Sequence, residues 1–93
     1  MQVIIKSSVD TFLAKQIKKD AENINRINIF LSELENVNNP FALNNVEKIQ
    51  RAKNYWRWTI TKYLIIGEAI NNMEAIKIIK VYRSKEDNYD KGF

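Results

Sequence analysis

One segment of the chain combines cationic, hydroxyl and aromatic side chains at a spacing suited to binding or cutting a polyanion. Over 54–60, polar and apolar residues alternate, which is typical of a half-buried strand. The polar set is Tyr55, Arg57 and Thr59, and the apolar set is Trp56, Trp58 and Ile60. Cations and hydroxyls on an exposed strand face indicate a nucleic-acid surface, although an ordinary strand with a solvated face gives the same alternation.

The basic residues around this strand have no acidic neighbour in sequence. No Asp or Glu occurs between Lys48 and Gly67, and the cations in that window are Lys48, Arg51, Lys53, Arg57 and Lys62. We predict that these cations contact a polyanion. Tyr55 points away from the two tryptophans, so we predict that it stacks on a base, whereas at least one tryptophan belongs to the core.

The residue types that are absent limit the chemistry further. The 93 residues include no cysteine and no histidine, which excludes disulfides, thiolate nucleophiles, zinc sites and histidine-dependent triads. Any catalysis must therefore use Lys, Arg, Tyr, Ser, Thr, Asp or Glu. We expect no metal site and no cofactor.

The net charge of +4 is confined to one half of the chain. Residues 1–50 hold six basic and six acidic side chains, whereas residues 51–93 hold nine basic and five acidic ones. This asymmetry directs the second half toward an anionic partner, either a nucleic acid or an acidic protein segment.

Length and hydropathy predict one domain, 1–93, because 45% of the residues are hydrophobic and can form a single core. No apolar run reaches the roughly 18 residues that span a membrane. The N-terminal residues lack the pattern of a signal peptide. We therefore predict a cytoplasmic protein with no membrane partner.

The apolar periodicity predicts the elements that position the candidate site. A strand over Gln2–Lys6 precedes a helix that begins at Ser7 or Ser8 and ends near Lys19. A second helix is capped by Asp20 and ends before Pro40. Its apolar residues recur at helical spacing: Ile24, Ile27, Leu31 and Leu34.

Three strand-like segments follow, at about 54–60, 63–70 and 74–82, with turn signals at Thr61-Lys62 and Asn71-Asn72. The preceding stretch, 39–53, reads as a linker held against the domain by its apolar residues. The order β-α-α-β-β-β predicts an α+β fold in which two N-terminal helices pack on one face of a small antiparallel sheet.

Several segments, in this order and spacing, resemble the RelE/ParE toxin superfamily and, more narrowly, its RelE-like branch. They are Asn39-Pro-Phe-x-Leu-x-Asn-Val-x-Lys-Ile49, Lys53-Asn-Tyr-Trp-Arg-Trp58, Tyr63-x-Ile-Ile-Gly-Glu68, Ile76-x-Ile-Ile-Lys-Val81 and the run from Arg83 to Tyr89. The resemblance implies a RelE-like fold and a small toxin held inactive by a cognate antitoxin. RelE-like members cut messenger RNA on the ribosome without a metal, whereas ParE-like members inhibit DNA gyrase.

The resemblance also implies site residues. The family strand reads Tyr, basic, apolar, basic, then a turn and Tyr-Arg; here these positions are Trp56, Arg57, Trp58, Thr59, Tyr63 and Leu64. The late arginine and C-terminal tyrosine of the family pattern match Arg83 and Tyr89. The implied catalytic residues are therefore Arg57, Arg83 and Tyr89, with Lys62 and Lys85 as auxiliary cations that contact RNA.

The resemblance favours a toxin of a type II toxin–antitoxin pair that acts as a ribosome-dependent, metal-independent mRNA endonuclease. Its partners would be the antitoxin, the ribosome and mRNA, with DNA bound only indirectly through the antitoxin. Because Thr59 and Leu64 occupy usually basic positions, a gyrase inhibitor or an attenuated member that binds only antitoxin or RNA stays open.

Structural roles compete for the same residues. Arg57 can pair with a cross-strand acid such as Glu68. Arg83 and Lys85 can form local ion pairs with Glu86 and Asp87. Tyr89 can hold the C-terminal segment against the domain instead of acting on RNA.

Overall fold

Two helices cover one face of a five-stranded sheet in the computed structural model, which describes residues 1–84. The elements are β1 (Gln2–Ile5), α1 (Ser7–Gln16), α2 (Ala21–Leu34), a 3-10 turn (Pro40–Ala42), β2 (Val46–Lys48), β3 (Tyr55–Ile60), β4 (Tyr63–Ile70) and β5 (Ala75–Arg83). The predicted α+β fold is confirmed. No helix within residues 1–84 is long and apolar enough to cross a membrane.

The strands lie in the order β1-β5-β4-β3-β2. Neighbouring strands are antiparallel as predicted, except that β1 runs parallel to β5 at one edge of the sheet. The sequence predicted an antiparallel sheet, so this pair departs from the prediction. No hairpin joins the two strands, because the helices and the three strands β2–β4 lie between them in the chain.

The predicted linker contains a strand that its sequence did not reveal. Its 3-10 turn begins at Pro40, and the Asn39 side chain accepts a hydrogen bond from the Phe41 N–H at 3.1 Å. The following β2 pairs with β3 in the described part of the chain. Three residues are too few to show an alternating pattern, so only the pairing with β3 defines this strand.

The main core lies between the helices and the sheet face that they cover, which we call the inner face. The four periodic apolar residues of α2 are buried there, as the spacing predicted: Ile24, Ile27, Leu31 and Leu34. Trp58 is fully buried and donates its indole N–H to the Pro40 carbonyl at 3.0 Å. Trp56 is partly buried against Phe41, with ring centroids 4.7 Å apart. The prediction of a core tryptophan is therefore confirmed.

A bulge in β5 changes which side chains reach the opposite, outer face of the sheet. Ile66 pairs with Lys80, but the next residue, Gly67, pairs with Ile78, so Ile79 is inserted between two pairs. The bulge lies beside a tight contact, because a Cβ on Gly67 would be 2.7 Å from Cζ3 of Trp58. As a result Lys77 and Lys80, three positions apart, both pair with outer-face residues.

Candidate nucleic-acid interface

The outer face is the sheet surface that α1 and α2 leave uncovered. Within residues 1–84, cross-strand pairing arranges its side chains in three rows. They are Tyr55–Glu68–Lys77, Glu47–Arg57–Ile66–Lys80 and Thr59–Leu64–Tyr82. The rows place cations from β3 and β5 on the same surface, with an acid from β2 at one edge.

Arg57 and Glu47 form an ion pair in the second row. Nη2 of Arg57 lies 2.5 Å from Oε1 of Glu47, and the side chains are 22% and 68% exposed, respectively. The sequence suggested Glu68 as the acid, but Glu68 stands opposite Tyr55, and β2 supplies Glu47 instead. Because a guanidinium has five N–H donors, Arg57 can hold this carboxylate and still donate to a phosphate.

A small apolar cluster occupies the middle of the outer face. Ile49, Ile66 and Tyr82 are buried in it, and partly buried neighbours include Tyr55 and Leu64. The loop 49–54 contributes Ile49 to this cluster, and the Ile49 N–H donates to the Tyr55 carbonyl at 2.9 Å. Tyr55, predicted to stack on a base, therefore lies along this cluster beside Arg57.

Lys48 lies on the inner side of β2, because it pairs with Trp56 and not with an outer-face residue. Its ammonium donates to the carbonyls of Ala52 at 3.0 Å and Ile49 at 3.3 Å, and it lies 5.8 Å from the Trp56 ring centroid. The side chain thus holds the loop 49–54 in place. The other two predicted cations of this region, Arg51 and Lys53, are exposed on that loop.

Lys62 and Arg83 lie together at the rim of the sheet. The Lys62 carbonyl accepts a hydrogen bond from the Ser84 N–H at 2.9 Å, and Arg83 pairs with Tyr63. Tyr63 is fully buried on the inner face, so strand alternation directs Arg83 away from Arg57. The described residues therefore form two cationic groups, one on the outer face and one at the rim.

The rim group is fixed to the junction between the helices. The Tyr63 hydroxyl donates to Oδ2 of Asp20 at 3.1 Å, and Nδ2 of Asn23 donates to both oxygens of the same carboxylate at 3.0 and 3.2 Å. The hydrogen bond from the Asn23 side chain, helped by the Tyr63 hydroxyl and the nearby Lys62 charge, lowers the pKa of Asp20. Asp20 occupies the predicted N-cap position of α2, but its side chain makes no capping hydrogen bond there.

Comparison with known proteins adds a structural relationship. No protein-family model and no curated protein matches the sequence. The archaeal RelE–RelB complex from Pyrococcus horikoshii OT3 contains a similar chain, with a TM-score of 0.70, 20% identity, and 92% of this chain and 97% of that chain covered.

Two further solved structures are similar over nearly their whole length. The RelB–RelE antitoxin–toxin complex from Methanococcus jannaschii matches with a TM-score of 0.67 and 22% identity, covering 88% of this chain and 91% of that chain. The YoeB/ParE toxin from Agrobacterium tumefaciens matches with a TM-score of 0.66 and 15% identity, covering 89% and 98%. The chain has the RelE/ParE toxin fold.

Within this RelE/ParE fold, sequence reasoning missed three charged residues of the outer face. Glu47 was assigned to a linker, Lys77 was counted only toward the net charge, and Lys80 was named only as part of a family motif, without a site role. With only three residues, β2 gave no sequence signal that placed Glu47 on a strand, and nothing in the sequence marks the bulge that turns Lys80 outward. Lys85 and Tyr89, with the acids Glu86 and Asp87, lie outside the described residues.

Proposed function

We propose that this chain is the toxin of a type II toxin–antitoxin pair and that it cleaves mRNA on the ribosome without a metal. The observation that carries the proposal is the Arg57–Glu47 pair on the outer face of a RelE/ParE fold. It gives a chain without histidine both a proton acceptor and a phosphate-binding cation. The similar structures include two antitoxin–toxin complexes and a YoeB/ParE toxin.

The proposed reaction is an internal transesterification. Glu47 accepts the proton of the ribose 2′-hydroxyl, and the 2′-oxygen attacks the adjacent phosphorus while the P–O5′ bond breaks. Tyr89 donates a proton to the leaving 5′-oxygen, so the products are a 2′,3′-cyclic phosphate and a 5′-hydroxyl. Arg57 donates hydrogen bonds to the non-bridging oxygens as negative charge develops on them.

The remaining cations bind the RNA around this centre. Lys62 and Arg83 form the rim group, which we propose contacts the phosphate next to the scissile one, together with Lys85. Arg51 and Lys53 extend the basic surface along the loop 49–54. Tyr55 lies beside Arg57 and is proposed to stack on a base. Because Lys48 already donates to two carbonyls, we now propose that it supports this loop.

The antitoxin is proposed to bind as an extended or helical acidic segment, since residues 51–93 carry the whole net charge. Its binding would cover the surface around Arg57 and Arg83, or displace the segment that contains Tyr89. A complex in which these side chains stay accessible and that segment keeps its place would contradict this part of the proposal.

A ParE-like inhibitor of DNA gyrase is the second candidate. The observation that favours it is the uncharged pair Thr59–Leu64, which lies on the outer face one row from Arg57. Both positions are usually basic in the family strand that this sequence resembles. A phosphate bound there would meet a hydroxyl and a methyl-bearing side chain instead of two cations.

Cell-free translation with primer extension on the messenger tests the proposal. The wild type should cut within translated codons. Arg57→Ala, Arg83→Ala and Tyr89→Phe should cut far more slowly, and Glu47→Gln should lose about 10²–10⁴ in rate, the usual contribution of a general base. Glu68→Gln is the matched control, because this outer-face acid faces Tyr55 and should leave cleavage unchanged.

Three other results would contradict the nuclease assignment or its centre. Arrested translation with intact messenger would mean ribosome binding without chemistry. Undisturbed translation with inhibited gyrase supercoiling would establish the ParE-like alternative. Equal losses in Glu47→Gln and Glu68→Gln would show that the loss is not specific to the Arg57–Glu47 pair, and would reject Glu47 as the general base.

A further inference from the structure

The outer face carries a line of cations that crosses the strands, formed by Lys6, Lys80 and Arg57. We propose that single-stranded RNA follows this line, which we call the transverse path, and so crosses the sheet at right angles to the strands. The inference rests on the function proposed above and assigns two RNA-binding residues, Lys6 and Lys80, to which the sequence analysis gave no site role.

Lys80 belongs to the path because of the bulge in β5. It pairs with Ile66, which in turn pairs with Arg57, so the three residues form one row. Ile66 is buried in the outer apolar cluster, whereas Val81 is buried in the core on the inner face. Lys80 is itself exposed. Strand alternation therefore directs its side chain to the surface that holds Arg57.

Lys6 lies at the other edge of the sheet, directly after Ile5. Because Ile5 pairs with Ile78, Lys6 stands beside the bulge residue Ile79, next to the row that contains Lys80. The Lys6 N–H donates to the Ile78 carbonyl at 3.0 Å, and its backbone is extended, with φ −64° and ψ 143°. Ile5 packs on the core, while Ile4 is 37% exposed on the other side of β1. Lys6 follows Ile5 in an extended chain, so its side chain leaves the sheet on the outer face.

The charges on the neighbouring rows favour this direction over one along a strand. The row Tyr55–Glu68–Lys77 has an acid at its centre, and the row Thr59–Leu64–Tyr82 has no charge among the described residues. On the transverse path the acid, Glu47, lies beyond Arg57 at the edge of the sheet. From Lys6 to Arg57 the path crosses three strand spacings, about 14 Å.

The helical side offers no competing surface of this kind. The segment 7–36, which contains both helices, holds four basic and five acidic residues. A single-stranded RNA backbone is attracted to fixed cations, and its binding constant then falls with salt in proportion to the phosphates contacted. That slope reports the phosphates contacted by the whole protein, so the change in slope on substitution shows whether the substituted lysine contacts one.

The test measures binding of a fluorescein-labelled 2′-O-methyl oligouridylate, which cannot be cleaved, to the full chain by fluorescence anisotropy. The dissociation constant is followed from about 50 to 200 mM salt for the wild type, Lys6→Ala, Lys80→Ala and Lys18→Ala. Each substitution on the path should reduce the slope of log K against log salt by about 0.7. Lys80→Arg should restore it.

Lys18→Ala is the matched control, since it removes the same charge from an exposed position between the two helices. A slope in Lys18→Ala that falls as far as in Lys80→Ala would overturn the path, because net charge alone would then explain the binding. Unchanged slopes in Lys6→Ala and Lys80→Ala would overturn it as well. Circular dichroism of each variant confirms that it is folded.

The two proposals fail in different ways in this experiment. If the wild type binds RNA and the lysine variants show the expected slope losses, but the wild type never cuts messenger, the transverse path is retained and the nuclease assignment is rejected. Messenger cleavage that persists with unaltered slopes in the lysine variants would retain the nuclease and reject the path.

Discussion

The same strands form both faces of the sheet, but the inner face is apolar and buried, whereas the outer face carries charged side chains. On the inner face, Trp58, Ile65 and Ile78 are fully buried against the helices. The Trp58 indole N–H is the one side-chain polar group among these three, and it donates to the Pro40 carbonyl. On the outer face, charged side chains surround a small cluster centred on Ile66. The inner face therefore determines stability, and the outer face is where substitutions can change chemistry without unfolding the protein.

The difference between the two faces also explains how this chain can share a fold with proteins whose sequences are only weakly similar. Apolar side chains of the inner face can be exchanged if volume and alternation are kept. On the outer face, the exposed Thr59 has no such requirement. Identity to the similar structures is 15–22%, while their TM-scores are 0.66–0.70.

The largest expected effect contrasts adjacent residues on the two faces. Trp58→Ala removes a fully buried ring and its bond to Pro40, so the free energy of unfolding should fall by about 3–5 kcal/mol. Thr59→Ala, at the next and exposed position, should stay within about 0.5 kcal/mol of wild type. Urea unfolding followed by far-UV circular dichroism measures both. Similar losses in the two variants would contradict the division between the faces.

A second substitution adds a cation to the outer face. Leu64→Arg places a donor one row from Arg57, and if the scissile phosphate lies between these rows the rate of messenger cleavage should rise by about 10²–10³. Primer extension gives the rate. Leu64→Gln has similar bulk but no charge and should give no such increase. An inactive Leu64→Arg protein that still folds would place the reacting phosphate elsewhere.

Lys48 and Lys53 are close in sequence, but Lys48 lies on the inner side of β2 and Lys53 on an exposed loop, so their substitutions should have different effects. Lys48→Met removes the ammonium that donates to Ala52 and Ile49, so we expect a loss of about 1 kcal/mol in unfolding free energy. For a domain of this size that lowers the melting temperature by about 4–8 °C. The salt slope of RNA binding should not change. Lys53→Met, on the exposed loop, should leave the unfolding free energy unchanged and reduce the salt slope. A reduced slope in Lys48→Met would instead place Lys48 in the RNA interface.

The smallest expected effect concerns Asp20, which anchors the rim. Its pKa is lowered in the folded protein by the Asn23 side chain, with help from Tyr63 and Lys62, so folding favours the carboxylate. The stabilisation is therefore present above the ordinary value of 3.8 and is lost as the pH falls through the folded-state pKa. The difference in melting temperature between wild type and Asp20→Asn should shrink in acid.

Tyr63→Phe provides the control for this pH dependence, because it removes the hydroxyl donor and keeps the carboxylate. Its acid dependence should lie between those of wild type and Asp20→Asn. A melting-temperature difference that stays constant from neutral pH to below pH 3.8 would show that Asp20 does not stabilise the fold through its charge.

The sequence by itself determined the elements whose signals are local. Helical spacing identified the buried residues of α2. Strict alternation placed Tyr55, Arg57 and Thr59 on the face of β3 opposite to the two tryptophans. The turns at Thr61-Lys62 and Asn71-Asn72 were also correct in position, and the backbone has positive φ at Thr61, Asn71 and Asn72. These features depend on residues a few positions apart, so composition and periodicity suffice.

Only the tertiary structure decided which charges share a surface. The pairing of β2 with β3 brings Glu47 to Arg57 and turns Lys48 inward. The bulge opposite Gly67 turns Lys80 outward, and the end of β5 directs Arg83 toward the inner side. Each outcome depends on contacts between residues distant in sequence. A shift of one residue in pairing moves a side chain to the other face, so alternation within one strand cannot determine it.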